Sequence, residues 1–275
     1  MSLARASSPL KTLQMIESLN SPHVARVKAL IGSKGVKERR LARAFVAEGM
    51  QCFREAIGSH NGPHIQSLYL TASARIKVDE MTDLSLINTF DVSDNVMREM
   101  SQTITPQGIL AICTMPITKL ENLNLDGTRK YIYLSQIQDP GNAGTILRSA
   151  DAFGITAVIT SPGSVDMYSP KVVRSTAGSL WHIPVFESIE LGTLLSTKPM
   201  HAFTLGADGS KPLRDFIPSR DCLAIFGNEA HGLTSKESKF AIESVSIPML
   251  GLAESLNLSA AAAIVMYHLS NMLPM

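Results

Sequence analysis

The sequence predicts an α/β protein built from two unequal units. Short β-type runs alternate with stretches of helical periodicity, first over about 95 residues and again after residue 128. The polar, turn-rich segment 114–128 separates the two series and reads as a linker. The later runs are continuously apolar, the pattern of strands covered on both faces in a parallel sheet. The expected division is therefore 1–113, with an ordered core from about residue 20, then the linker 114–128, then 129–275. A length of 275 residues, 45% hydrophobic and 18% charged, supports folded domains and excludes a disordered chain.

Asn20 and Ser21 can cap a helix starting near Pro22, and Val24, Val27, Leu30 and Ile31 recur at helical spacing. Gly32-Ser33-Lys34-Gly35 breaks it. Phe45–Ala47 reads as a strand and Met50–Ile57 as a helix. Strands follow at Ser67–Leu70, Thr89–Val92 and Ile109–Cys113. Beyond the linker, strands are expected at Tyr131–Leu134, Ala157–Thr160, His182–Phe186, His201–Leu205, Leu223–Phe226 and Val245–Pro248. Helices are expected at Ala143–Phe153, Pro170–Ala177 and Leu258–Met272.

Charge is unevenly spread. Residues 1–50 hold nine Lys/Arg against three acids, a net +6, whereas the remaining 225 residues carry −5. A basic end on a near-neutral protein suggests a polyanion partner. Cys52, Cys113 and Cys222 are odd in number and form no CxxC pair, which speaks against a disulfide framework and for a reducing, cytoplasmic setting. No apolar run is long enough for a membrane span, and the start lacks a secretory h-region. No GxGxxG, GxxxxGK[ST], HExxH or GxSxG pattern occurs, and the histidines do not cluster. Dehydrogenase, kinase, hydrolase and zinc-enzyme readings lose support, and no metal is expected.

Three segments concentrate chemistry. In the first, Asp139-Pro140-Gly141-Asn142-Ala143-Gly144 opens a helix, and Asn142 stands where an N-cap is expected. Ile146, Leu147, Ala150 and Phe153 form its apolar face. Arg148 lies off that face, and its long side chain can lean back over bare Gly144 toward the helix start. Such an end can receive a phosphate or polarise a hydroxyl. In the second, Gly227 and Gly232 bracket a polar loop after a strand, letting backbone approach a ligand closely. In the third, Ser255, Asn257 and Ser259 supply more capping groups than one helix start needs.

Together these segments resemble the motif set of the SpoU (TrmH) family of RNA ribose 2′-O-methyltransferases, within the SPOUT superfamily. Asn142 and Arg148 match its N–x5–R motif, Gly227, Glu229, Gly232 and Leu233 its G–x–E–x2–G–L motif. Ile247, Pro248, Met249, Ser255, Leu256, Asn257 and Ser259 match its last motif, with Leu258 where Val is usual. The stretch Pro170–Leu180 also looks like the family. The region around Arg39–Gly49 is similar to the L30e-like substrate-binding domain often fused to these enzymes.

The resemblance implies a deep trefoil knot in the C-terminal domain and S-adenosylmethionine as cofactor. It places Thr204, Leu205, Gly206, Gly227, Asn228, Ile247, Met249 and Leu256 around that cofactor. It implies a homodimer with the active site near the interface. It also implies methyl transfer to a ribose 2′-hydroxyl, on 23S-type ribosomal RNA; tRNA, or RNA binding without catalysis, are the alternatives. Arg148 is the candidate activator. Guanidinium groups stay protonated in proteins, so the expected role is to stabilise the developing alkoxide and position a phosphate. Asn142 would orient Arg148 or the ribose, Glu229 would fix the loop or Arg148, and Ser255 and Asn257 would hold substrate or cofactor. Lys34, Lys37, Arg39, Arg40 and Arg43 would hold RNA backbone.

Overall fold

The computed structural model describes residues 15–123, 125, 129–206, 209–217 and 221–271. The first fourteen residues of the expected N-terminal unit, linker positions 124 and 126–128, and Met272 of the expected last helix lie outside them.

The first unit runs α1 (Pro22–Ile31), α2 (Gly35–Ala42), β1 (Ala44–Glu48), α3 (Met50–Gly58), β2 (Ile65–Leu70), α4 (Ala72–Asp79), β3 (Thr89–Asp91), α5 (Asp94–Met100) and β4 (Ile109–Thr114). Its strands form one sheet in the order β1-β4-β2-β3, antiparallel except for β2 with β3. Ser21, Thr71 and Ser93 cap α1, α4 and α5 by accepting from backbone N–H groups one turn on. The helix α2 has no counterpart in the sequence reading. It buries only Gly35 and Arg39, so it carries no apolar stripe to recognise.

The second unit runs β5 (Lys130–Leu134), α6 (Pro140–Ala152), β6 (Ala157–Thr160), α7 (Pro170–Ser175), β7 (Val185–Phe186), α8 (Leu191–Thr197), β8 (His201–Leu205), β9 (Lys211–Pro212), β10 (Cys222–Phe226), α9 (Ser235–Ser238), β11 (Glu243–Ser246) and α10 (Leu258–Asn271). Seven strands pair in the order β7-β6-β5-β10-β8-β11-β9, all parallel. Every residue of β5, β6 and β10 is buried, which is why these strands read as unbroken apolar runs. The strand expected at His182–Phe186 shrinks to Val185–Phe186, because a 3-10 turn occupies Ser179–Trp181 and Pro184 lacks an N–H. The last strand ends at Ser246, ahead of Pro248.

The two units share an apolar cluster. Phe45 and Phe53 of the first pack with Tyr168, Leu180 and Trp181 of the second. The Phe45 ring lies 5.2 Å from Tyr168 and 5.9 Å from Trp181, centroid to centroid. Trp181 Nε1 donates to the Pro63 carbonyl at 2.9 Å.

Candidate active site

Strands β5, β8, β10 and β11 end side by side, and the crevice beyond the carboxyl ends of a parallel sheet is where such folds bind ligands. The loops leaving them surround a cavity of about 460 Å³. Phe226, Leu205, Ile247, Leu258 and Ala261 give it an apolar floor, and Asn142, Asn228, Glu229, Glu254, Ser255 and Asn257 a polar rim. Seven of the eight residues expected around the cofactor line it: Leu205, Gly206, Gly227, Asn228, Ile247, Met249 and Leu256. Thr204 does not; it lies within β8, buried. The sequence reading gave no site role to Phe226, Glu254, Leu258 and Ala261, which lie within or next to the motif spans and carry no distinguishing pattern of their own.

The three motifs meet in one hydrogen-bonded chain. Glu229 accepts from the backbone N–H groups of Gln138 and Asp139, each at 3.4 Å, and from Asn142 Nδ2 at 3.3 Å. Asn142 Oδ1 accepts from Asn257 Nδ2 at 3.1 Å. Asn257 Oδ1 in turn accepts from Ser259 N at 2.9 Å and Ser259 Oγ at 2.6 Å, at the start of α10. Asn228 fixes the neighbouring loop, donating from Nδ2 to the Gln136 carbonyl at 2.7 Å and accepting from Ala230 N on Oδ1 at 2.8 Å. Gly227 is required here. A Cβ on it would lie 2.4 Å from the Gly232 carbonyl carbon.

Two expectations about α6 need correction. Asp139, not Asn142, is its N-cap: Asp139 Oδ1 accepts from Asn142 N at 2.7 Å, with Pro140 in the first turn. Asn142 is one turn inside, so its side chain is free to bridge Glu229 and Asn257. Nor is the bare face of Gly144 a path for Arg148. It is filled by α7, where a Cβ on Gly144 would meet Ser175 Cβ at 2.3 Å. Arg148 is exposed on α6, its side chain makes no hydrogen bond or ion pair among the described residues, and it does not line the cavity.

The basic stretch is also divided. Lys34, Lys37, Arg40 and Arg43 are exposed. Arg39 is not: it is 3% exposed. Its Nε donates to Asp166 Oδ2 at 2.8 Å, and it also contacts the Leu30 carbonyl. A guanidinium already spent on a buried carboxylate cannot hold RNA backbone, so Arg39 leaves that set.

Burial pushes the Cys52 thiol up to about 11 and Cys222 up to about 12, so neither is a thiolate nucleophile near neutrality. Among the described residues no group of three His, Cys, Asp or Glu is placed to hold a metal ion.

The SpoU rRNA Methylase family matches residues 129–267, and the MRM3-like substrate binding domain matches residues 22–111. This chain belongs to the SpoU rRNA methylase family. It is 32% identical to the 23S rRNA (guanosine(2553)-2′-O)-methyltransferase of Bacillus subtilis (strain 168), over 94% of this chain and 99% of that one. It is 27% identical to the 23S rRNA (uridine(2479)-2′-O)-methyltransferase of Streptomyces viridochromogenes, over 87% of this chain and 86% of that one. The AdoMet-bound rRNA methyltransferase from Sinorhizobium meliloti superimposes with a TM-score of 0.83 at 26% identity, covering 95% of this chain and 99% of that one. The SpoU-family unit thus has the knotted α/β fold, and the protein is an S-adenosylmethionine-dependent RNA ribose 2′-O-methyltransferase.

The cavity suits that cofactor. Its volume lies in the range of about 300–1,000 Å³ usual for small-ligand clefts. An apolar floor suits a heterocycle, glycine backbone at 206 and 227 permits close approach, and Glu254 and Asn228 offer polar partners for a ribose and an amino-acid tail.

Proposed function

We propose that this protein methylates a ribose 2′-hydroxyl of 23S-type ribosomal RNA. The observation that carries the reading is the Glu229–Asn142–Asn257 chain, which brings all three motifs to one cavity. Residues 1–113 serve as the RNA substrate-binding domain and 129–275 as the methyltransferase domain. Substrate class rests on the relatives, which are named as 23S rRNA enzymes across nearly their whole length.

The cofactor supplies an electrophilic methyl group on a sulfonium. Leu205, Gly206, Gly227, Asn228, Ile247, Met249 and Leu256 hold it, and Thr204 sets the end of β8 from behind. Glu229 fixes the amide of Asn142, which faces the ribose, while Asn257 locks Asn142 from the other side and Ser255 holds substrate on the rim. Arg148 stabilises negative charge on the 2′-oxygen as that oxygen takes the methyl group and its proton passes to solvent, the role of a preorganised cation at a developing oxyanion.

The working form is a homodimer. Ile264 and Tyr267 of α10 are 41% and 58% exposed, and Leu250 and Leu252 in the loop before α10 are fully exposed. A second copy covering this apolar face would draw Arg148, exposed on the adjoining α6, toward a shared site. No helix among the described residues is long and apolar enough to cross a membrane. Three unpaired buried cysteines suit a reducing cytoplasm.

The test uses S-adenosylmethionine with a radioactive methyl group, incubated separately with unmodified 23S rRNA and unmodified tRNA. Label in rRNA is expected. Label in tRNA alone would overturn the substrate class, and cofactor binding with no label in any RNA, assembling ribosomal particles included, would overturn catalysis.

A further inference from the structure

The acids at the joint between the two units are already engaged. Asp166 takes Arg39, Glu187 lies 3.7 Å from Arg40, Glu48 lies 3.7 Å from Arg174, and Glu55 takes His182 Nε2 at 3.1 Å. Each pair joins one unit to the other. What remains is a surplus of cations. Lys34, Lys37 and Arg43 around α2, and Lys171 on α7, are exposed, and their side chains make no hydrogen bond or ion pair among the described residues.

The helix that carries Lys171 packs against elements of both functional regions. This helix, α7, packs on β1, which follows directly from Arg43, and on α6, which carries Asn142 and Arg148. One turn on from Lys171, Ser175 fills the space over Gly144 of α6. The charge does nothing for its own helix. It stands in the first turn, where a cation opposes the partial positive charge of the helix start and no acid offsets it.

We propose that Lys171 is an RNA-backbone contact, continuing the basic face of α2 across the joint to the reaction centre. The ligand is a phosphate of the same RNA strand that enters the methylation site. Arg39, buried against Asp166, is a positioning residue: it holds the two halves of this track in register rather than touching RNA. The inference rests on the RNA methyltransferase reading.

Binding of an unmodified 23S rRNA transcript is measured against salt concentration for the wild type, Lys171→Ala and Lys171→Glu. Cofactor affinity is measured on each protein by calorimetry. Each lost phosphate contact should flatten the slope of log K on log salt by roughly 0.7–0.9. Lys171→Ala is expected to show that loss, Lys171→Glu to bind RNA at least about tenfold more weakly, and both to bind cofactor as the wild type does. An unchanged slope with cofactor binding intact overturns the role of Lys171 while the RNA reading stands. A wild type that binds rRNA without salt dependence overturns both. For Arg39, Asp166→Asn should raise KM for rRNA with little change in kcat; equal loss of kcat and cofactor affinity would mean a purely structural role.

Discussion

Asn142 is gripped from two sides, by Glu229 through its amide nitrogen and by Asn257 through its oxygen. The side chain of Arg148, six residues further on, is gripped by nothing among the described residues. The contrast assigns them different work. Replacing Arg148 by Ala should lower kcat by about 10²–10³-fold, the usual loss when one oxyanion-stabilising donor is removed. Cofactor affinity, measured by calorimetry, should hold, since Arg148 lies off the cavity. Equal loss of both would make Arg148 structural. Glu229→Gln should act otherwise, disturbing both quantities, because the carboxylate holds two backbone N–H groups and Asn142 together. The sequence showed these residue types and their spacing. It did not show their wiring: Asp139 outcompetes Asn142 for the cap because a Pro at the first turn sets the helix start three residues earlier.

At the scale of elements, the site depends on how closely α6 approaches α7. Gly144 sits with Ser175 Cβ, Ser175 C and the Val172 carbonyl all within 3.0 Å of where its Cβ would be. Gly144→Val should therefore destabilise the fold by about 2 kcal/mol or more, an overpacking penalty. A urea midpoint equal to that of the wild type would show the crossing to be looser than described. The parallel strands were legible because burial on both faces leaves an unbroken apolar run. Helix α2 was not, since its buried positions are a glycine and an arginine. Gly35 is there because a Cβ would lie 2.6 Å from the Leu30 carbonyl oxygen and 2.5 Å from Arg39 Nη1. A pattern made of one absent side chain and one buried charge has no hydrophobic period to detect.

Across the whole molecule, the two units behave as one packed body at their joint. Trp181, Tyr168 and Phe45 share an apolar cluster, ringed by ion pairs. The sequence announced two alternating series and a linker, but a contact between residues 39 and 166 has no local signature. Arg39→Met should cost about 3–5 kcal/mol, because the Asp166 carboxylate would stay buried without its cationic partner. Calorimetric melting checks it, and a loss near zero would mean the pair is solvated. The joint should also respond to pH. The hydrogen bond to Asp151 raises His182 above the ordinary imidazole value against the effect of burial, helped by the charges of Asp151 and Glu55. Burial and the charge of Asp166 likewise raise Glu187. In both cases the folded state holds its proton more tightly. The His182 contribution is full below about pH 6.5 and is lost as pH rises through its raised folded value. Melting temperature should accordingly fall on alkalinisation, and less so in His182→Gln. An identical pH profile in that variant would remove His182 from the joint.

The claim on which the rest depends is that the methyl group goes to a ribose oxygen. Alkaline digestion of rRNA labelled by the enzyme decides it, because a 2′-O-methyl blocks cleavage at its own linkage. The account predicts label retained in alkali-resistant dinucleotides. Label released as ordinary mononucleotides would place the methyl on a base and contradict it.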